Sequence, residues 1–181
     1  SAIIAISVVG NFVTTYISDV FHGAELQGFA DGRMEPEFVE RVEEMEGIEK
    51  VLAVYVFENT IKTGGITFSR LEGTDNLEWY SSMLALKFTD KGLLEQAVAS
   101  FGNKERSVIL SEDCLQRTGF SVGDEILLSN GTEEIPYTIA GSFKSRATDV
   151  EAVIPAYCAV SDFGATVYDF LAYTAADPDA I

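Results

Sequence analysis

The chain has 181 residues, enough for one ordinary domain or for two small lobes that share a core. Hydrophobic residues make up 47% and charged residues 23% of it, which is typical of a globular protein and excludes a disordered chain. The 29 acidic and 12 basic residues give a net charge of −17, which repels phosphate backbones, so we expect no nucleic-acid partner.

Cysteine and histidine are scarce, which limits the chemistry that the chain can carry. Cys114 and Cys158 are the only cysteines, and His22 is the only histidine. A zinc site needs three or four such ligands at regular spacing, so we expect no metal centre. The two cysteines either pair in an oxidising compartment or lie buried as small apolar side chains, and the sequence leaves both readings open.

The motifs of nucleotide chemistry are also missing from the sequence. It has neither a Gly-x-x-x-x-Gly-Lys phosphate loop nor a Gly-x-Gly-x-x-Gly dinucleotide fingerprint. A Ser-His-Asp triad would depend on the single His22, and the charges of Glu112 and Asp113 oppose a lowered thiol pKa at Cys114. We therefore expect no catalytic residue and no cofactor.

The first segment with a clear pattern is residues 3–17, which carry no charge. This run is shorter than the ~20 apolar residues that span a membrane. It fits the outer end of a membrane helix, a buried strand or a signal-peptide remnant, and these readings stay open. Residues 18–34 are polar and carry turn signals at Gly23, Gly28 and Gly32, so we expect a loop there.

A helix followed by a buried strand is predicted next. Pro36 suits a first helical position, the apolar residues of 36–46 form one stripe, and Gly47 ends the helix. The glutamates of this helix lie off the stripe and are typical of a solvated face. Residues 48–57 are apolar at both alternating sets of positions after Lys50, which predicts a central strand covered on both faces.

Residues 58–88 have a weaker pattern, with a candidate strand at 66–71 and an aromatic-rich stretch after it. Trp79 and Tyr80 belong to that stretch. Core packing is the simpler interpretation of such aromatic residues, and a contact surface for a substrate or partner is the alternative. We name Trp79 and Tyr80 as candidate contact residues on the second reading.

The most regular stretch runs from 107 to 130, after a predicted helix at 91–102. It reads as a short strand, a helix capped by Ser111, a stop at Gly119, and a second strand that ends in the hairpin signal Asn130-Gly131. Strands are predicted at 135–143, 150–155 and 166–174, and a short helix at 157–163. Lys144 and Arg146 form a basic cluster that is too small for a nucleic-acid site. Asp177 and Pro178 predict the start of a further helix, and hence a longer natural chain.

Several of these pieces together resemble one protein family. Val-Ile-Leu-Ser-Glu at 108–112 is followed by Val-Gly-Asp-Glu-Ile-Leu-Leu at 122–128, by Tyr-Thr-Ile-Ala-Gly at 137–141 and by Ala-Val-Ile-Pro at 152–155. Val-Glu-Glu-Met-Glu-Gly-Ile-Glu-Lys-Val at 42–51 adds to the match. The order of these pieces is similar to that in the extracytoplasmic domain of MacB-like and FtsX-like ABC transporter permeases.

The resemblance implies an α+β fold in which a βαβ-type lobe is interrupted by a smaller β-rich lobe. We expect residues 1–29 to form an N-terminal segment, 30–88 with 166–181 the βαβ-type lobe, and 89–165 the inserted lobe. The resemblance also implies a non-catalytic domain on the extracytoplasmic side of the cell membrane. Its partners would be an ATP-binding cassette subunit, reached through the membrane part of the chain, and an export substrate or extracellular protein.

A second hypothesis comes from a different class of protein. The Gly-Asp turn before an apolar strand also occurs in small β folds, including double-psi barrels. On that reading the chain is a free-standing ligand-binding domain or enzyme of mixed β type.

Overall fold

The computed structural model describes residues 6–9, 12–15 and 28–175. Within these ranges the protein has thirteen strands in one sheet and five helices, which confirms the predicted α+β class. The strands are β1 (Ile6–Val9), β2 (Phe12–Thr15), β3 (Gly28–Met34), β4 (Ile48–Glu58), β5 (Lys62–Thr63), β6 (Ile66–Thr67), β7 (Arg70–Thr74), β8 (Lys87–Phe88), β9 (Ser107–Ser111), β10 (Glu125–Ser129), β11 (Glu134–Lys144), β12 (Ala152–Pro155) and β13 (Tyr168–Ala175). The helices are α1 (Pro36–Glu43), α2 (Leu77–Met83), α3 (Lys91–Gly102), α4 (Glu112–Thr118) and α5 (Ala156–Phe163).

The strands are ordered β1-β2-β3-β13-β4-β7-β12-β9-β11-β10-β5-β6, and β8 pairs with β11 beside this path. The pairs β7/β12 and β9/β11 are parallel, and the other described pairs are antiparallel. The sheet is thus continuous across the expected lobe boundaries. The division into 30–88 with 166–181 and an inserted lobe at 89–165 stays a prediction.

Helix α1 connects two parallel strands, as a βαβ unit requires. Strand β13 lies between β3 and β4 and is antiparallel to both, so β3 and β4 run in the same direction. Pro36 occupies the first helical turn and Val39 is buried against the sheet. The helix ends at Glu43, three residues before the predicted end at 46, because the chain turns there before Gly47, whose φ of 91° favours glycine.

Strand β4 is covered on both faces, as predicted. Its residues Leu52 and Val54 belong to a buried cluster that α2 and α3 also supply. Ala53 lies in a cluster with Val39 of α1, and Tyr55 in a cluster with residues of α5. Successive side chains of a strand point to opposite faces, so helices on both sides of the sheet bury this strand completely at its centre.

The unit at 107–130 forms as its local signals predict. The side chain of Ser111 accepts a hydrogen bond from the Cys114 amide at 3.2 Å, and Gly119 ends α4 with a φ of 76°. The Asn130 amide donates to the Glu133 carbonyl at 3.1 Å and closes the β10–β11 hairpin. Pro136 lies opposite Leu127, between bonded positions of this alternating ladder, so its missing amide costs no hydrogen bond.

Two predictions about local structure were wrong. Residues 28–34 were expected to form part of a loop, but they form β3, because pairing with β13 outweighs the poor strand propensity of Gly28 and Gly32. The candidate strand at 66–71 is instead two strands, β6 and β7, and the aromatic stretch after it contains α2. The side chain of Asn76 caps that helix by accepting from the Trp79 amide at 3.0 Å.

Within the uncharged run 3–17, the described residues 6–9 and 12–15 form the antiparallel strands β1 and β2. The rest of that run lies outside the described residues, as do 18–27 with His22 and the predicted helix start at Asp177.

The two cysteines are free thiols, and both are buried in the same apolar cluster. Burial raises the pKa of Cys114 to about 11, and burial also raises the pKa of Cys158. Both therefore act as small apolar side chains at neutral pH, which agrees with the second of the two readings.

Candidate functional site

The sheet has two distinct ends, which we call the terminal end and the far end. At the terminal end, Gly28 of β3 lies opposite Tyr173 of β13, and Ala175 lies opposite Ile48 of β4. At the far end, the last residue of β4, Glu58, pairs with the first residue of β7. Strand β4 has 11 residues, so these ends are about 33 Å apart at ~3.3 Å per residue.

A groove of about 960 Å³ opens at the far end. The strand register explains its position, because β7 and β12 begin there and β9 and β11 end there. Segments 111–113 and 143–151 line the groove together with Ser69, Ala85 and Lys87. Its volume is at the upper end of the range of ~300–1,000 Å³ for ligand pockets.

One wall of the groove is the segment between β11 and β12, and hydrogen bonds hold it at both ends. Ser145 Oγ donates to the Leu84 carbonyl at 2.8 Å and accepts from the Ala147 amide at 3.1 Å. At the other end, the Glu151 amide donates to the Arg70 carbonyl at 2.9 Å. The wall is therefore fixed to α2 on one side and to β7 on the other.

Two carboxylates of the groove already have cationic partners within the protein. Glu112 accepts from Lys144 Nζ at 3.1 Å and from Thr89 Oγ1 at 2.9 Å, and these two hydrogen bonds lower the pKa of Glu112. Glu151 accepts from Arg117 Nη2 at 2.6 Å and from the Ser69 amide at 2.8 Å. Their charge is thus largely balanced.

The remaining charged side chains of the groove are exposed and carry both signs. They are Lys87 and Arg146 on the cationic side and Asp113 and Asp149 on the anionic side. In the described part of the chain, neither Lys87 nor Arg146 has an ion-pair partner. These side chains are available to a ligand without first breaking an internal ion pair.

The two candidate contact residues from the sequence occupy different environments. Tyr80 is 0% exposed and donates to Glu72 Oε1 at 2.7 Å, so it lies in the core. Trp79 is half-buried against the same cluster, and its Nε1 atom is buried with no partner among the described residues. Neither side chain lines the groove, which α2 reaches only beyond its C-terminal end, at Ala85. A direct contact role of Trp79 stays a prediction.

Substitutions at Trp79 separate a contact role from a packing role. We expect Trp79→Ala to lower the free energy of unfolding by about 2 kcal/mol, because the partly buried ring packs against the core cluster. Trp79→Phe should stay within about 0.5 kcal/mol of the parent, since it also removes a buried N–H that lacks an acceptor. Urea denaturation measures both values. Unchanged stability of Trp79→Ala would show that the ring contributes no packing.

Two buried carboxylates organise the interior, and the sequence patterns did not reveal them. Asp162 accepts from Arg106 Nε and Nη2, each at 3.0 Å, and from the Tyr137 hydroxyl at 2.6 Å. Glu72 accepts from Arg70 Nε at 2.7 Å in addition to the Tyr80 hydroxyl. The partners of Asp162 lie 25 and 56 residues away in the sequence, and those of Glu72 lie within eight residues but on a strand and a helix whose packing no motif specifies.

The tyrosines of these networks predict a loss of stability in alkali. Burial, and then the neighbouring carboxylate, raises the pKa of both Tyr80 and Tyr137. An unfolded tyrosine ionises near pH ~10, so the stability from both groups is present below that pH and is lost as the pH rises above it. We expect Tyr137→Phe to weaken this pH dependence, measured by urea denaturation between about pH 9 and about pH 11. An unchanged slope would contradict this.

One stretch has the spacing of a nucleophile elbow but not its structure. Gly119-Phe120-Ser121-Val122-Gly123 matches Gly-x-Ser-x-Gly, yet it follows helix α4 and precedes strand β10. An elbow has the reverse order, strand before helix. The Ser121 amide donates to Asp124 Oδ2 at 2.8 Å, so the stretch works as a turn.

Within the described ranges, no helix has the length and apolarity needed to cross a bilayer. In the same ranges, no group of histidine, cysteine, aspartate and glutamate side chains is arranged to hold a metal ion.

Comparisons with solved structures reveal the same fold in three domains. The extracellular domain of the noncanonic ABC-type transporter YknZ from Gram-positive bacteria superposes with a TM-score of 0.61 at 18% identity, covering 82% of this chain and 76% of that one. The periplasmic region of MacB from Actinobacillus actinomycetemcomitans gives 0.58 at 11% identity, covering 81% and 66%. A domain of a putative permease protein from Porphyromonas gingivalis gives 0.58 at 12% identity, covering 82% and 71%.

The match to a protein-family model agrees with the structural comparisons. No curated protein matches the chain. The family model described as the MacB-like periplasmic core domain matches residues 1–181, which is the whole chain. The family predicted from the segments at 108–155 is therefore confirmed, and the chain belongs to the MacB-like periplasmic core domains of ABC transporter permeases.

Proposed function

We propose that this domain lies outside the cytoplasmic membrane and couples ATP hydrolysis by an ATP-binding cassette subunit to export of a substrate or to action on an extracellular partner. The observation that carries the proposal is the pairing of strands at the terminal end of the sheet. Gly28 of β3 pairs there with Tyr173 of β13, and Ile6, the first residue of β1, pairs with Thr15, which pairs with Phe29 beside Gly28. The strands that lead toward both ends of the chain therefore meet at one place. A domain held between two membrane helices needs this arrangement.

The continuous sheet supports a mechanical role. Strand β4 runs without interruption from the terminal end to the far end, and it is buried on both faces at its centre. A packed sheet resists bending, so a movement of the membrane helices at the terminal end would displace the groove at the far end. In this account the groove is the surface that meets the substrate or partner, and Trp79 is a second candidate contact.

The domain is expected to act by binding and not by catalysis. The groove carboxylates Glu112 and Glu151 are held by Lys144 and Arg117. A general base needs an oxygen free to accept a proton, and these two are already occupied by donors. The other two groove carboxylates, Asp113 and Asp149, are exposed, and the groove lining that the structure describes contains no histidine or cysteine to act with them. The ATPase would supply the chemical step, and this domain the contact.

The coupling is tested on the full-length natural protein, purified from detergent-solubilised membranes. We expect an ATP-binding cassette subunit with ATPase activity to be purified with it. In an Arg146→Cys variant, the rate of labelling by a fluorescent maleimide should differ between the nucleotide-free and vanadate-trapped states. The native Cys114 and Cys158 are buried and serve as an internal background. Equal labelling rates in both states would overturn the coupling, and a soluble full-length protein without ATPase activity would overturn the whole proposal.

A further inference from the structure

The groove gathers a quarter of the basic residues of this acidic chain and places them beside four acidic ones. The chain carries 12 basic residues against 29 acidic ones. Three of those basic residues, Lys87, Lys144 and Arg146, line this single groove. Lys144 is occupied by Glu112, so Lys87 and Arg146 supply the cationic charge that is open to a ligand.

The open charge of the groove is nevertheless mixed. Asp113 and Asp149 line it as well and are exposed. A dense polyanion would meet these carboxylates directly, and at longer range it would be repelled by the net charge of −17. A ligand with alternating positive and negative groups avoids both penalties. Its acidic groups would pair with Lys87 and Arg146, and its basic groups with Asp113 and Asp149.

The lining of the groove combines charged, small and apolar side chains. Its walls come from segments 111–113 and 143–151, and Ala85 and Ala147 place small side chains at its exposed rim. The buried Phe143 and Val150 contribute an apolar floor. A peptide chain supplies charged side chains of both signs together with apolar groups, which match this lining.

We propose that the groove binds an extended peptide segment of an extracytoplasmic protein that carries side chains of both charges. The proposal rests on the proposed function, since it names the partner class for the groove of a domain outside the membrane. Specificity comes from the two open cations beside the two open carboxylates. The apolar floor adds affinity without selecting a sequence.

The test selects peptides from a phage-displayed library of random linear sequences against the 181-residue chain. We expect the selected peptides to contain both acidic and basic residues. Their affinity for the double variant Lys87→Glu/Arg146→Glu should fall at least about tenfold, which is about 1.4 kcal/mol. The matched control is Arg41→Glu/Lys62→Glu, which makes the same change in net charge at exposed positions outside the groove and should leave the affinity unchanged. Circular dichroism verifies that all variants fold.

A second pair of substitutions tests the mixed character of the ligand. Asp113→Asn/Asp149→Asn should weaken the same peptides, because it removes the partners of their basic side chains. Stronger binding to this variant, or tighter binding of polyglutamate or polyphosphate than of the selected peptides, would overturn the proposal in favour of a plain anion site. A library that yields no peptide sensitive to the Lys87/Arg146 change would overturn it as well.

These outcomes are independent of the test of the proposed function. Peptide binding is measured on the isolated chain and does not depend on where the full-length protein is located. A soluble full-length protein would overturn the proposed function alone. Absence of groove-dependent peptides would overturn only the identity of the groove's partner.

Discussion

Replacing Asp162 with alanine is expected to lower the free energy of unfolding by about 3 kcal/mol. The carboxylate is 6% exposed, and it receives hydrogen bonds from Arg106 and from the Tyr137 hydroxyl. Its removal leaves a buried tyrosine hydroxyl without an acceptor, which costs about 1–3 kcal/mol by itself. It also detaches α5 from β11 and from the loop before β9. Urea denaturation followed by circular dichroism measures the change.

Variants of the two donors provide the controls for this prediction. Arg106→Ala removes the cationic partner of Asp162, but the Arg106 side chain is 53% exposed, so water can enter in its place and hydrate the carboxylate, and the cost should be about 1–2 kcal/mol. Tyr137→Phe leaves Asp162 paired with Arg106, so it should cost about 1 kcal/mol. If Arg106→Ala were as destabilising as Asp162→Ala, the ion pair and not the buried hydroxyl would dominate, contrary to our account.

The second large effect is expected at Glu72. Its side chain lies between the Tyr80 hydroxyl and Arg70 Nε, each at 2.7 Å, and Tyr80 has no exposed surface. Glu72→Ala removes the acceptor of a fully buried hydroxyl and opens a cavity between β7 and α2. We expect a loss of about 3–4 kcal/mol in the free energy of unfolding.

Glu72→Gln is the matched variant, because it keeps the shape and an oxygen that accepts from Tyr80. It should cost clearly less than Glu72→Ala, about 1–2 kcal/mol, since only the charge-assisted bond to Arg70 is weakened. Arg70 retains its other partner, Glu58, at 3.1 Å. Equal losses for the alanine and glutamine variants would show that the charge, and not the acceptor for Tyr80, holds this part of the core together.

Both effects are structural, and the one at Glu72 also bears on function through the far end of the sheet. Glu72 lies two residues after Arg70. The Arg70 carbonyl accepts the hydrogen bond from the Glu151 amide that fixes one end of the groove wall. Loss of Glu72 should therefore loosen the groove as well as the core. This is why the binding tests use exposed charges, whose substitution leaves these networks intact.

Elements with complete local signals could be predicted from the sequence. The unit at 107–130 contains its own cap at Ser111, its own stop at Gly119 and its own turn at Asn130, and all three form as expected. Strand β4 was also predictable, because an apolar run on both alternating faces is typical of a strand buried between two layers. These features depend on neighbours within a few residues of each other.

Elements that depend on distant partners could not be predicted. Strand β3 contains glycines that favour a loop, and its partner β13 follows more than a hundred residues later. The groove could not be predicted for the same reason, since its residues Lys87, Glu112 and Arg146 come from three separate segments of the chain. The basic cluster of Lys144 and Arg146 was visible in the sequence, but the groove that these residues line was not.

The aromatic pair shows the same limit at the level of single residues. Trp79 and Tyr80 are adjacent in the sequence, and their pattern favours a core and leaves a contact surface as the alternative. The helix turns Tyr80 toward Glu72 and leaves Trp79 half-exposed. The buried carboxylate of Glu72, which accepts from the Tyr80 hydroxyl, distinguishes the two residues. Glu72 can reach Tyr80 only because β7 packs against α2, and the sequence does not show that packing.

The location of the domain is the central claim, and protease treatment of cells that make the full-length natural protein tests it most directly. Intact spheroplasts are treated with a protease that does not cross membranes, and an antibody to this domain follows the chain in the membrane and soluble fractions. We predict recovery in the membrane fraction and cleavage of the domain before lysis. Recovery of an intact soluble protein, or cleavage only after lysis, would contradict the account.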